Sequence, residues 1–167
     1  PCFIGKGASV RAIELLGAKQ IGTIRCPAVF ENIVVTEFIS ALSSAFCSDS
    51  VQKGKSVLAG KKGKKVVSDK LNVFDDGIMK DGWGSSLFDA EGVPRQKSPL
   101  LIEGVLQGFL YDTYWGKREG VESTGNAERG GFKGFPSIGV SNLYIEKGDK
   151  TLETLFKDMG KGLFIKE

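Results

Sequence analysis

The texture of this sequence changes near Val66, and that change limits the folds open to it. Before it, apolar residues recur every three or four positions; after it, they come in short runs cut by glycine-containing turns. The first pattern suits amphipathic helices and the second suits strands joined by turns, so the chain reads as α+β. We divide it into a helical segment with a lysine-rich loop, residues 1–65, and a β-rich part, residues 66–167. A chain of 167 residues holds one domain, or two small subdomains sharing a core.

In the helical segment, Val10, Ile13 and Leu16 share one helix face, with Ser9 as the expected N-cap and Gly17 as the stop. Residues 21–29 read as an extended connection through Pro27. A wider apolar stripe, from Val34 through Phe38 and Leu42 to Phe46, predicts a second, well-buried helix. In the β-rich part, strands are expected at 71–74, 98–102, 105–111, 142–145 and from Leu163 onward. Glu103-Gly104 is expected to turn a hairpin. Short helices are expected from Asp112 to Gly120, and from Asp149 or Thr151 to Gly160. A strand that begins at the last residues suggests that a larger fold continues past them.

The absence of histidine excludes imidazole catalysis and a His-based zinc site within this chain. Cys2, Cys26 and Cys47 are odd in number and lack Cys-x-x-Cys spacing, which predicts free thiols in a reducing cytosol. No run of apolar residues is long enough to span a membrane. The net charge of +3 demands no polyanionic partner.

Each motif has a functional and a plain reading. Gly5-Lys6-Gly7 precedes a helix as a phosphate loop does, but Val10 stands where the third glycine belongs, so a flexible helix entry fits better. The lysines from Lys53 to Lys65 could meet nucleic-acid phosphates. No aromatic residue lies among them to stack bases, and a solvated loop around a short extended piece at 56–58 explains them. Asp75-Asp76 and Asp89-x-Glu91 could bind a cation or act as acid and base, or could bond their own turns. Ser123-Thr124-Gly125-Asn126-Ala127 could hold a ligand or complete a turn.

Several of these segments, taken in order, resemble one family. They are Val73-Phe74-Asp75-Asp76-Gly77, then the run Phe88-Asp89-Ala90-Glu91-Gly92-Val93-Pro94. The stretch from Leu101 to Asp112, Ser123 to Ala127, Asn142-Leu143-Tyr144-Ile145 and Gly162-Leu163 follow. The chain resembles the TldD/PmbA, or modulator-of-gyrase, family from about Glu14 to the end. The resemblance implies a cytoplasmic metalloprotease system that degrades or processes unfolded peptides. In it, a TldD-type subunit carries zinc on an HExxxH helix, and a PmbA/TldE-type subunit without that motif pairs with it.

Aligning Lys53-Gly54-Lys55-Ser56-Val57 with the family's R-G-T-S-V segment puts the HExxxH positions at Ile39, Ser40 and Ser44. The chain therefore resembles part of the PmbA/TldE type, a noncatalytic subunit. The implied fold is a set of N-terminal helices packed on a mostly antiparallel, barrel-like β-sheet. No cofactor is expected in this chain, and zinc is expected only in a TldD-type partner. The implied partners are that zinc-bearing paralogue, in a homo- or heterodimer, and an unfolded peptide. From motif position, Asp89, Glu91, Gly92, Thr124, Gly125 and Asn126 are candidate substrate-binding residues. Two alternatives stay open: a nucleic-acid-binding module using the Lys53–Lys65 loop, and a peptidase with an unrecognised site. The stretch 129–135 is richer in glycine than the family's loop.

Overall fold

The computed structural model describes residues 2–166, with Pro1, Glu167 and the side chains of Cys2 and Phe3 outside the described set. Helix α1 (Cys2–Glu14) starts earlier than its expected cap, so Gly5-Lys6-Gly7 lies inside a helix and forms no anion-binding loop. Ser9 instead folds its hydroxyl back onto Lys6 O at 2.9 Å. From Ile4 on, only Arg11 in this helix is even half-buried, and its guanidinium meets Glu31 at 3.3 Å.

Strand β1 (Ala28–Phe30) leads into helix α2 (Asn32–Leu42), which tightens into a 3-10 turn at Ser43–Phe46. The stripe expected to be well buried is not. No residue of α2 is buried, and Phe38 and Leu42 stay more than half exposed. Only Ile39 and, past the helix, Phe46 reach the main core. A short helix α3 (Ser48–Gln52) follows.

Strands β2 (Val73–Asp76), β3 (Lys97–Ile102), β4 (Val105–Leu106) and β7 (Leu143–Ile145) form one antiparallel sheet in the order β4-β3-β2-β7. The expected Glu103-Gly104 hairpin joins β3 to β4, although β4 is shorter than its apolar run. Both turn residues have positive φ, 48° and 74°, and a Cβ on Gly104 would sit 2.4 Å from Val67 O. Strands β5 (Ala127–Glu128) and β6 (Ser137–Ile138) make a small second hairpin. Strand β8 (Leu163–Ile165) pairs in parallel with β1 in a separate two-stranded sheet. Among the described residues no closed barrel forms, because no strand links β7 to β8 or to β4.

The remaining helices follow their expected caps. In α4 (Thr113–Glu119), Asp112 Oδ1 accepts from Trp115 N at 2.8 Å, and Gly120 ends the helix at φ 73°. In α5 (Leu152–Met159), Thr151, not Asp149, is the cap, accepting from Thr154 N at 3.2 Å. The core joins Phe46 to Val73, Leu100, Leu101, Leu106, Phe109, Leu110 and Tyr111.

The lysine segment, expected to hold a short extended piece at 56–58, is turns there. Further on it pairs with the outer side of β4. Gly63 N donates to Leu106 O at 2.8 Å, Leu106 N to Lys64 O at 3.0 Å, and Val66 N to Gly104 O at 2.9 Å. No helix among the described residues is long and apolar enough to cross a membrane.

Candidate functional site

The structure gathers the candidate residues of two distant loops around β5. Asp89 is buried, and its carboxylate accepts three backbone N–H groups. These are Glu91 and Val93, both at 2.9 Å, and Ala127 at 3.0 Å. The first two close the loop over Gly92, whose φ of 81° suits only glycine well, and the third ties that loop to β5. Glu91 Oε2 accepts from Thr113 N at 2.8 Å, beside the Asp112 cap. Burial raises the Asp112 carboxyl above its ordinary range, against the opposing Trp115 hydrogen bond, and the Glu91 carboxylate adds to the rise.

Thr124, Gly125 and Asn126 join the same assembly. Thr124 Oγ1 accepts from Tyr111 N at 2.8 Å and donates to Asn126 Oδ1 at 2.7 Å. Asn126 Nδ2 donates to Asp75 Oδ2 at 2.7 Å and to Gly139 O at 3.0 Å. Two acceptors there, and a hydroxyl on the other side, fix the orientation of the amide. Asp75 is 1% exposed, and also accepts from Ser141 N at 2.7 Å and Ser141 Oγ at 2.8 Å. A buried carboxylate is tolerated when donors surround it in this way. Gly125 has φ 72°, and a Cβ there would lie 2.5 Å from Pro94 O, so the Thr124–Asn126 turn packs directly on the backbone at Pro94. The polar atoms of Asp75, Asp89 and Asn126 are thus taken up by the protein's own loops. Asp75, the hub of this network, was legible only as a possible turn, cation or acid–base residue, and its partner Ser141 was not singled out.

A second feature lies beside the sheet. A groove of about 370 Å³ runs between α2 and β7, lined by Asn32, Val35, Thr36, Ile39, Leu143, Tyr144 and Ile145. Sequence reasoning did not single out this wall, because its halves are about a hundred residues apart. The pairing of β7 with β2 decides which backbone groups face outward. Asp76 N donates to Asn142 O at 3.1 Å, and Glu146 N donates to Asn72 O at 2.9 Å. By antiparallel alternation, Tyr144 also faces β2, and the N–H and C=O of Leu143 and Ile145 point to the free side. On the outer face of the sheet, Tyr144 and Phe74 stack at 5.8 Å, with the Lys97 ammonium 4.3 Å from the Phe74 ring centre. Hydrogen bonding with Tyr144 is the main cause of a raised Lys97 pKa.

The positions aligned with HExxxH lie along this helix and the turn that follows it. Ile39 lines the groove and touches the core, while Ser40 and Ser44 are exposed. An alkyl group and two hydroxyls are not a zinc donor set, which uses imidazole, thiolate or carboxylate. The residues present do not fit the metal that the family implies.

Residues 23–167 match the family model for the PmbA/TldA metallopeptidase C-terminal domain. A metalloprotease PmbA homolog from Buchnera aphidicola is 29% identical over 167 residues, covering 100% of this chain and 35% of that protein. The crystal structure of a putative modulator of a DNA gyrase from Thermotoga maritima superposes with a TM-score of 0.89. It has 35% identity, over 98% of this chain and 37% of that one. TldE from Thermococcus kodakarensis gives a TM-score of 0.66 at 34% identity, over 72% of this chain and 28% of that one. The chain spans about a third of the length of the curated relatives it matches. Matched over most of its length in both sequence and structure, this chain belongs to the PmbA/TldD metallopeptidase family.

Proposed function

We propose that this chain is part of a noncatalytic, PmbA/TldE-type subunit, which pairs with a TldD-type zinc-bearing paralogue to degrade or process unfolded peptides in the cytoplasm. One observation carries this reading: Ile39, Ser40 and Ser44 stand at the positions aligned with HExxxH, with Ile39 in the groove against β7, in a chain without histidine. Zinc hydrolysis needs metal-bound imidazoles and a carboxylate to take a proton from water. None of the three side chains supplies either.

The edge of β7 is suited to a different task. An extended peptide can add to it as a strand, bonding to Leu143 and Ile145 through main-chain atoms alone. The α2 wall is then an apolar bed for alternate side chains. Asp89, Glu91, Gly92, Thr124, Gly125 and Asn126 serve substrate handling through the loops they hold in place.

The test uses the full-length protein that carries this chain and its zinc-bearing paralogue. Cleavage of an unstructured peptide is measured with each alone and with the two mixed. Activity in the mixture, and none from the full-length protein alone, is the expected result. Activity from the full-length protein alone sinks the noncatalytic assignment. A bound peptide that touches only side chains sinks the strand-addition part.

A further inference from the structure

Two loops outside the groove carry large apolar side chains that the fold does not use. Ile78, Leu87 and Phe88 are more than half exposed, Trp83 is fully exposed at 106%, and Phe132 and Phe135 are 87% and 94% exposed. Single exposed apolar residues need no explanation, but six on two adjoining loops do.

The loops adjoin because their bases are stapled together. Arg95 donates from Nε to Ser86 Oγ at 2.9 Å and from its backbone N to Leu87 O at 3.1 Å. Its other end lies 3.7 Å from the Glu128 carboxylate, at the root of the 129–135 loop. Asn142 Nδ2, just past the far end of that hairpin, donates to Ser85 Oγ at 3.0 Å. The roots are fixed, and so is the tip of the first loop, where Gly84 N donates to Asn142 Oδ1 at 2.9 Å; the tip of the 129–135 loop is not. A Cβ on Gly130 or Gly131 would meet nothing within 4 Å, and among the described residues no backbone hydrogen bond ties the 129–135 tip to another element. Lys133 lies 5.4 Å from the Phe132 ring centre, and Arg129 and Lys80 add positive charge against Asp81, with Glu128 at the root facing Arg95.

We propose that the 129–135 loop, beside the fixed apolar side chains of the first loop, forms an adaptable contact surface for the apolar side chains of a non-native polypeptide, favouring acidic residues among them. The proposal deepens the peptide-handling reading above and rests on it. Glycine-hinged aromatic loops suit a ligand whose sequence varies, because the same rings can re-pack against different side chains. A permanent subunit contact through Phe132 and Phe135 would favour a tip locked by packing. Single-stranded nucleic acid would need a basic track along its backbone, and these loops carry few cations for that.

The test is direct binding to the full-length protein without any paralogue, so that it does not depend on proteolysis. The probe is a fluorescein-labelled unstructured peptide rich in Phe and Leu, with interspersed Asp. The variant combines Phe132→Ser and Phe135→Ser, two exposed positions. Its thermal unfolding is expected to match that of the parent. We expect affinity for the peptide to fall about tenfold or more, as loss of two aromatic contacts implies. A second peptide with Ser in place of its Phe and Leu should bind both proteins equally weakly.

Unchanged peptide affinity overturns the proposal. So does unchanged affinity joined to weaker pairing with the paralogue, which makes the surface a subunit contact. Lost binding of a single-stranded oligonucleotide, with peptide binding intact, overturns it in favour of nucleic acid. A lowered unfolding temperature with intact affinity overturns it too, by showing that the rings are covered in the full-length protein. Phenylalanine-dependent binding without cleavage in the mixture keeps this inference and removes the noncatalytic-subunit reading.

Discussion

The two sides of the central sheet are finished differently. On the β4 side, residues 63–66 run alongside and take up the outward hydrogen bonds, and lysines fill that segment. On the β7 side, Leu143 and Ile145 leave their main-chain groups unmatched by any strand among the described residues. Lysine-bearing cover is a common way to stop a sheet from recruiting another chain. The opposite edge, beside an apolar groove, has no such cover among the described residues. The contrast separates a covered edge from one left unpaired among the described residues.

The largest effect expected from breaking this contrast is at Gly104. A valine there meets Val67 O and Ser68 O and must hold a left-handed backbone at φ 74°. Gly104→Val should push the lysine segment off β4 and cost about 4 kcal/mol in denaturant unfolding. Hydrogen exchange at Val66 and Leu106 should lose protection first. Unaltered protection at both would mean that the seal does not depend on this turn.

Proline scanning of β7 should show which backbone groups are spare. Tyr144→Pro removes an N–H that faces β2 and should cost about 3 kcal/mol. Leu143→Pro removes an N–H that faces outward and should cost under about 1 kcal/mol, while lowering affinity for an extended peptide. Equal stability losses at the two positions would refute the alternation.

A smaller effect is expected at Cys47, near the root of the sealing segment. There Ser56 Oγ donates to Ala45 O at 2.7 Å, and Cys47 bridges Leu110. Burial, foremost, pushes the Cys47 thiol from 9.0 up to about 12, with Asp49 adding to it. Because the folded state holds the proton more tightly, its contribution to stability is present below pH 9 and declines as pH rises toward 12. Exposed Cys26 should alkylate readily at pH 8 in the native protein, and Cys47 only on unfolding. Comparable native rates would contradict the burial.

The smallest stability change is expected for Lys61, Lys62 and Lys64 replaced together by serine. These side chains are exposed, so unfolding free energy should move by no more than about 0.5 kcal/mol. Aggregation on concentration, read by light scattering, should nevertheless rise if the lysines guard that edge.

The sequence made local features readable and hid the distant ones. Asp112 and Gly120 bracket α4 as expected, because a cap and a left-handed stop act within a few residues. Gly5-Lys6-Gly7 misled because two glycines weaken a helix without forbidding one. The α2 stripe misled because periodicity shows which face is apolar, not whether anything covers it. The lysine segment looked like a solvated loop because its partner strand lies some forty residues onward. The hydrogen bond from Asn126 to Asp75 spans 51 residues, so no local pattern could join them. The resemblance brought Asp75 and Asn126 into one ordered set of motifs, but not into contact.

The bare groups of Leu143 and Ile145 have a consequence for what such an edge can tell apart. Main-chain atoms are the same in every polypeptide, so an edge that bonds only to them cannot read a client's sequence. What it can sense is whether the client has already satisfied its own N–H and C=O groups. A folded protein offers few spare groups, mostly at sheet edges, and a loosened chain offers many. Under the proposed strand addition, the filter at this edge is conformational triage, set by how far a client has folded.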